Sequence, residues 1–191
     1  MAHDYEVHAT RTAYEGARAT VRVDDVAMPD GGTASREVVV VDDAVAIVAL
    51  DGRRRVCLLE QYRHPLARRL LELPAGKIDV EGESPLQTAR RELREEAGLA
   101  SERWSVLCSF ENSAGWTTER THVLLAEDVA AAETRGGDGD GDFVAVHEEA
   151  DMRMSMVELD VALEMIDAGE ITDAKTLLGL LLAARRLTAT T

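Results

Sequence analysis

Gly76 to Leu99, GKIDVEGESPLQTARRELREEAGL, decides how the rest of this 191-residue chain is read. Its first half is a Gly-rich acidic loop and its second half a helix. Ser84 is a good N-cap, Pro85 suits the first helical position, and Gln87 falls where a capping-box partner belongs. Gly98 is the stop, able to take a left-handed conformation after the last turn. At helical periodicity Leu86, Ala89, Leu93 and Ala97 share one face, which is predicted to be buried. Glu92, Glu95 and Glu96 form a strip beside it, because residues three and four apart are neighbours on a helix. Left unneutralised, the strip costs roughly a few tenths of a kcal/mol per close pair. A divalent cation reverses that sign, and hard carboxylate oxygens suit Mg²⁺ or Mn²⁺. Read alone, RELREE also fits a solvated helix with an ordinary Arg91–Glu95 surface pair.

Towards the N-terminus, Leu70 to Leu73 reads as a strand running into a Pro74-Ala75-Gly76 loop. Val56 to Tyr62 is another strand, and the apolar run Ala44 to Leu50 a central one. Residues 1–42 read as a separate β unit, with a PDGG hairpin turn before the strand SREVVVV. Such a piece cannot stabilise itself and needs the main domain, 43–191, or a second subunit to cover it.

Towards the C-terminus, Trp104 to Glu111 and Thr121 to Ala126 are strands flanking NSAGWTTER, a polar loop with a candidate exposed Trp116. The acidic, Gly-rich stretch Glu133 to Asp142 reads as a surface loop. Val144 to Asp151 places two carboxylates, Glu148 and Glu149, before a strand from Met152 to Val157. A helix from about Leu159 to Ala168 ends at Gly169. Asp173 caps a last helix with Leu177, Leu178, Leu181 and Leu182 on its apolar face. This order predicts an α/β fold, a mixed sheet covered by helices on two sides, plus the small N-terminal antiparallel β appendage.

A hydrophobic fraction of 46% suffices for one core. A net charge of −15 argues against a nucleic-acid backbone or an anionic membrane as partner, and requires local Arg and cations if the substrate is phosphorylated. Cys57 and Cys108 sit in apolar runs and read as buried, reduced thiols. No signal peptide and no membrane-spanning run is evident, so the cytoplasm is the expected location.

The whole string from Gly76 resembles the Nudix box. Glu83, Arg91, Glu92, Leu93, Glu95, Glu96, Gly98 and Leu99 match its spacing, with one extra residue between Gly76 and Glu83. EQYRHPLARRLLELPAG, GWTTER and HEEADM extend the likeness to bacterial ADP-ribose pyrophosphatases of that superfamily. The resemblance implies the Nudix α/β/α sandwich and hydrolysis of the diphosphate of ADP-ribose, or a related nucleotide sugar, to AMP and ribose 5-phosphate. It also implies a homodimer exchanging the N-terminal β piece.

Carried over by position, the resemblance implies Mg²⁺ (or Mn²⁺) ligands in Glu92, Glu96 and the carbonyl of Ala75, with Glu95 secondary. Glu83 and Arg91 are implied to pair structurally beside Gly76 and Gly98. Glu148 is the implied general base and Glu149 a metal-side acid, or the reverse. Arg63 and Glu119 match substrate-binding positions. Two departures concern the nucleoside: Ala114 stands where a Pro is usual, and Ala17 where an adenine-stacking aromatic sits in part of the family. Tyr14, Tyr62 or Trp116 offers a stacking face instead. These departures keep GDP-mannose and ADP-glucose open as substrates. A non-catalytic ADP-ribose sensor is the alternative from another class, against which the intact carboxylates speak.

Overall fold

The computed structural model describes residues 4–133 and 151–189. The chain forms two compact units, Met1–Asp43 with Phe110–Arg120, and Ala44–Ser109 with Thr121–Thr191.

In the first unit β1 (Val7–Glu15), β2 (Thr20–Ala27) and β3 (Thr33–Val40) make an antiparallel meander in that order. The PDGG turn forms as the composition predicts. Gly31 takes φ +84°, and the Asp30 carboxylate accepts from the Gly32 N–H at 2.9 Å. Segment 110–120 runs along β3. The Val39 N–H donates to the Trp116 carbonyl, and the Thr118 N–H to the Val39 carbonyl. No local signal in the sequence indicates that pairing.

The second unit is built on β4 (Ala44–Ala49), the apolar run read as a central strand. It lies in a four-stranded sheet of order β7-β4-β10-β9, with β7 (Ala75–Lys77), β9 (Arg103–Glu111) and β10 (Arg120–Glu127). β10 runs parallel to β4, pairing Leu124 with Ile47, while β7 runs antiparallel and pairs Ala75 with Ala46. The sheet is therefore mixed. Beside it β5 (Arg55–Arg63) is flanked by β6 (Arg68–Glu72) and β12 (Arg153–Glu158), both antiparallel to it. A small pair joins β8 (Leu99–Ala100) to β11 (Ala130–Ala131).

Alternation along β4 sends side chains to two faces. Val45, Ile47 and Ala49 enter a core with Leu93, Ala89 and Ala97 of helix α1 (Pro85–Ala97). Val48 lies on the side of helix α3 (Ala174–Thr188), where it faces Gly179. Helix α2 (Leu159–Asp167) buries Leu159 and Ala162. Among the described residues no helix is long and apolar enough to cross a membrane.

Two expectations are corrected. Ala75 and Gly76 are strand residues rather than loop, because the edge of β4 offers their backbone partners. The buried stripe of α3 is Thr176, Gly179, Leu180 and Ala183, while Leu181 is 52% exposed. Small residues bring the helix against the sheet. A Cβ on Gly179 would sit 2.7 Å from Leu73 Cδ1 and 3.0 Å from Val48 Cγ2, so α3 packs closely there, with Leu180 buried and Leu177, Leu178 and Leu182 only partly so.

Candidate active site

The site is organised by α1, whose ends follow local rules. The Ser84 hydroxyl accepts from the Gln87 N–H at 3.4 Å, and the Gln87 side chain accepts from the Ser84 N–H at 2.9 Å. Gly98 closes the helix at φ +63°. With Thr88, Ala89, Leu93 and Ala97 buried, the rotation of the helix is set. Glu92, Glu95 and Glu96 then fall on the strip beside the buried face.

Arg91 is the hub of the acidic cluster. Its Nη1 donates to Glu92 at 2.7 Å and to Glu95 at 3.3 Å, and its Nη2 to Glu83 at 3.3 Å. Thr88 Oγ1 donates to the same Glu83 oxygen at 2.9 Å. Hydrogen bonding from Arg91 holds the Glu83 carboxyl below the usual carboxylate range. Through these contacts Glu83 ties the loop to the helix. Burial, with the Glu95 charge adding, pushes the Glu92 carboxyl up to about 7 against the pull of Arg91.

β7 meets this strip edge-on. The Ala75 N–H donates to Glu96 at 2.9 Å. Any Cβ at Gly76 would overlap the Glu92 side chain, standing 2.5 Å from its Cγ and closer still to its carboxyl group. The glycine is required by this close approach, not by a turn. Next to them Cys57 is buried, and burial together with the Glu96 charge pushes its thiol up to about 12. Cys108, expected buried as well, is only partly so.

The sequence-predicted Arg63 is not a free surface Arg. Its Nε and Nη2 both donate to Glu72, each at 2.7 Å. Burial works to raise the Glu72 carboxyl, yet the hydrogen bonds and charges of Arg63 and Lys175 prevail and hold it below the usual range. Glu72 and Lys175 were missed by sequence reasoning. A carboxylate inside the apolar run LLELP was the available signal, because such a group is kept only with partners.

Trp116 is 59% exposed, as expected of a loop aromatic. Glu119 accepts from the Asn112 side chain. Both belong to the first unit, whereas Arg63, Ala75 and the α1 carboxylates belong to the second. Glu148 and Glu149 lie outside the described residues, as does most of the acidic stretch from Glu133 to Asp142.

Among the described residues no three acidic, His or Cys side chains stand close enough to hold a metal ion, and Arg91 Nη1 bridges Glu92 and Glu95. The donor chemistry nevertheless fits a hard divalent cation. Glu92 and Glu96 are one turn apart beside backbone that Gly76 leaves uncovered, and a half-buried carboxyl with a raised proton affinity is one that a cation stabilises.

The chain is similar to known proteins over most of its length. Residues 41–175 match the NUDIX domain model. The chain is 41% identical to the ADP-ribose pyrophosphatase of Mycobacterium tuberculosis, over 94% of this chain and 83% of that protein. It is 36% identical to the methanol dehydrogenase activator of Bacillus methanolicus, over 88% and 86%. A solved structure described as an ADP compounds hydrolase superposes with a TM-score of 0.82 at 19% identity, covering 98% of this chain and 96% of that one, a likeness of fold. With the domain match spanning most of its length and the box carboxylates in place on α1, the chain belongs to the Nudix hydrolase family.

Proposed function

We propose that the protein hydrolyses the diphosphate bond of ADP-ribose to AMP and ribose 5-phosphate in a Mg²⁺-dependent reaction. The observation that carries this reading is the carboxylate strip of α1 set against the bare backbone of Gly76. The similarity to the ADP-ribose pyrophosphatase of Mycobacterium tuberculosis supports the choice of substrate. Glu92, Glu96 and the Ala75 carbonyl would hold Mg²⁺, with Glu95 behind them. Bound there, it supplies charge neutralisation and a lowered pKa for a water.

The residues of the chain do the rest. Arg91 holds the carboxylates in register through its contacts with Glu83, Glu92 and Glu95. Arg63 holds the diphosphate, a task suited to a planar guanidinium. Glu148 takes the proton from the attacking water and Glu149 serves on the metal side. Water oxygen bonds to one phosphorus as the bridging P–O bond breaks, and the bridging oxygen leaves with the other phosphate. By the resemblance alone, Glu119 is a substrate-side residue, and Trp116 offers a stacking face. The protein acts as a cytoplasmic homodimer in which the N-terminal strands of residues 1–42 are exchanged between subunits.

Ala114 and Ala17 favour a second reading, a different nucleotide sugar at the same chemistry. A panel of ADP-ribose, ADP-glucose and GDP-mannose with Mg²⁺, read by phosphate release in the presence of a phosphatase, separates the two. ADP-ribose is expected to be cleaved fastest. Release from none of them would refute the hydrolase reading.

A further inference from the structure

The charged group around Glu72 does something the box does not explain. Glu72 ends β6 at 2% exposure. One of its oxygens accepts from Arg63 Nε and the other from Arg63 Nη2, and the second also takes Lys175 Nζ. Lys175 belongs to the first turn of α3 and bonds Asp173 at 3.0 Å. Asp173 is in turn held by the helix it caps, accepting the Thr176 N–H at 3.0 Å and its hydroxyl at 2.6 Å. Thr176 Oγ1 accepts from the Leu73 N–H at 2.9 Å. The start of α3 is therefore pinned to Glu72 at the end of β6 and to Leu73, two residues before the Ala75 N–H that meets Glu96.

For Arg63 this has two consequences. A bidentate carboxylate leaves the guanidinium one orientation, so little rotamer freedom remains to be lost when an anion binds. Lys175 holds the same carboxylate from the other side and is itself paired with Asp173, so the four groups are neutral together and Glu72 is fixed between two cations. The Arg63 side chain is still 39% exposed, which leaves it accessible to a ligand.

We propose that Glu72 and Lys175 are positioning residues for Arg63, fixing its guanidinium so that its remaining donors meet the substrate diphosphate. The inference rests on the reading of Arg63 as the diphosphate holder.

A double-mutant cycle on ADP-ribose hydrolysis tests it. Lys175→Met is expected to lower kcat/KM roughly tenfold in the wild-type background, chiefly through KM, and less than about twofold in an Arg63→Ala background. Lys175→Arg should restore most of the loss. A residue acting only on the fold would cost the same in both backgrounds, and that result, or no loss at all from Lys175→Met, overturns the inference. Should Lys175→Met fail to fold, Lys175→Gln takes its place in the cycle under the same criteria. An active wild type with an unimpaired Arg63→Ala removes the inference while the hydrolase stands. A wild type inactive on ADP-ribose removes the proposed function first.

Discussion

Gly76→Ala separates the site from the fold more cleanly than any carboxylate substitution. The new methyl carbon would stand 2.5 Å from Glu92 Cγ and nearer still to the carboxyl, far inside ordinary contact. Gly76 lies in β7, paired with Val45 of β4, so its backbone cannot retreat cheaply. Glu92 is the flexible partner and must swing away by about 1 Å or more. It then loses its 2.7 Å bond from Arg91, a charged hydrogen bond whose loss costs about 1.5–3 kcal/mol before water recovers part of it. Replacing Gly by Ala stiffens the unfolded chain and returns about 0.4–1 kcal/mol. The net destabilisation is therefore about 0.5–2.5 kcal/mol, or a fall in Tm of roughly 1–10 °C for a chain of this size. Activity should suffer far more, since a misplacement of about 1 Å at a reacting centre costs on the order of a hundredfold. ADP-ribose hydrolysis and thermal unfolding on the same preparation decide the matter. A Gly76→Ala enzyme with wild-type kcat would show that the Glu92 position seen here is not the working one.

The same substitution at Gly179 should act on stability instead. Helix propensity favours Ala by about 1 kcal/mol, but the Cβ would press on Leu73 and Val48, and overpacking costs about 1–3 kcal/mol. Tm is expected to fall, and a rise would mean that α3 sits less tightly than described. Glu72 has a carboxyl held below its ordinary value of 4.5, so its contribution to stability is complete above that pH and is lost as pH drops through the lower folded value. Glu72→Gln should therefore be less stable than wild type at neutral pH and show a shallower decline on acidification below pH 4.5, measured by urea unfolding across pH. Cys57, buried with its thiol pushed up to about 12, should resist alkylation at mildly alkaline pH until the protein is unfolded, while Cys108 reacts in the native state. Mass spectrometry of native and denatured samples reads this directly, and native labelling of Cys57 would contradict its burial.

Local physics made the centre of this protein legible in advance. The Ser84–Gln87 box, Pro85, the Gly98 stop and the strip of Glu92, Glu95 and Glu96 all depend on neighbours within four residues, so the sequence alone determined that helix and its acidic edge. The same holds for the PDGG turn and for the cap of α3 at Asp173. Other features join residues far apart. Lys175 and Glu72 are 103 positions apart, and segment 110–120 lies along β3 through bonds such as Thr117 Oγ1 to the Val39 carbonyl, 78 apart. Only tertiary structure could decide those. It also turned Ala75 and Gly76 into an edge strand and buried Thr176, Gly179, Leu180 and Ala183 of α3 instead of the stripe of Leu177, Leu178, Leu181 and Leu182. The physical reason is that backbone pairing and close packing are satisfied by whichever surface the fold brings near. A segment read alone shows what must be covered, but not what covers it.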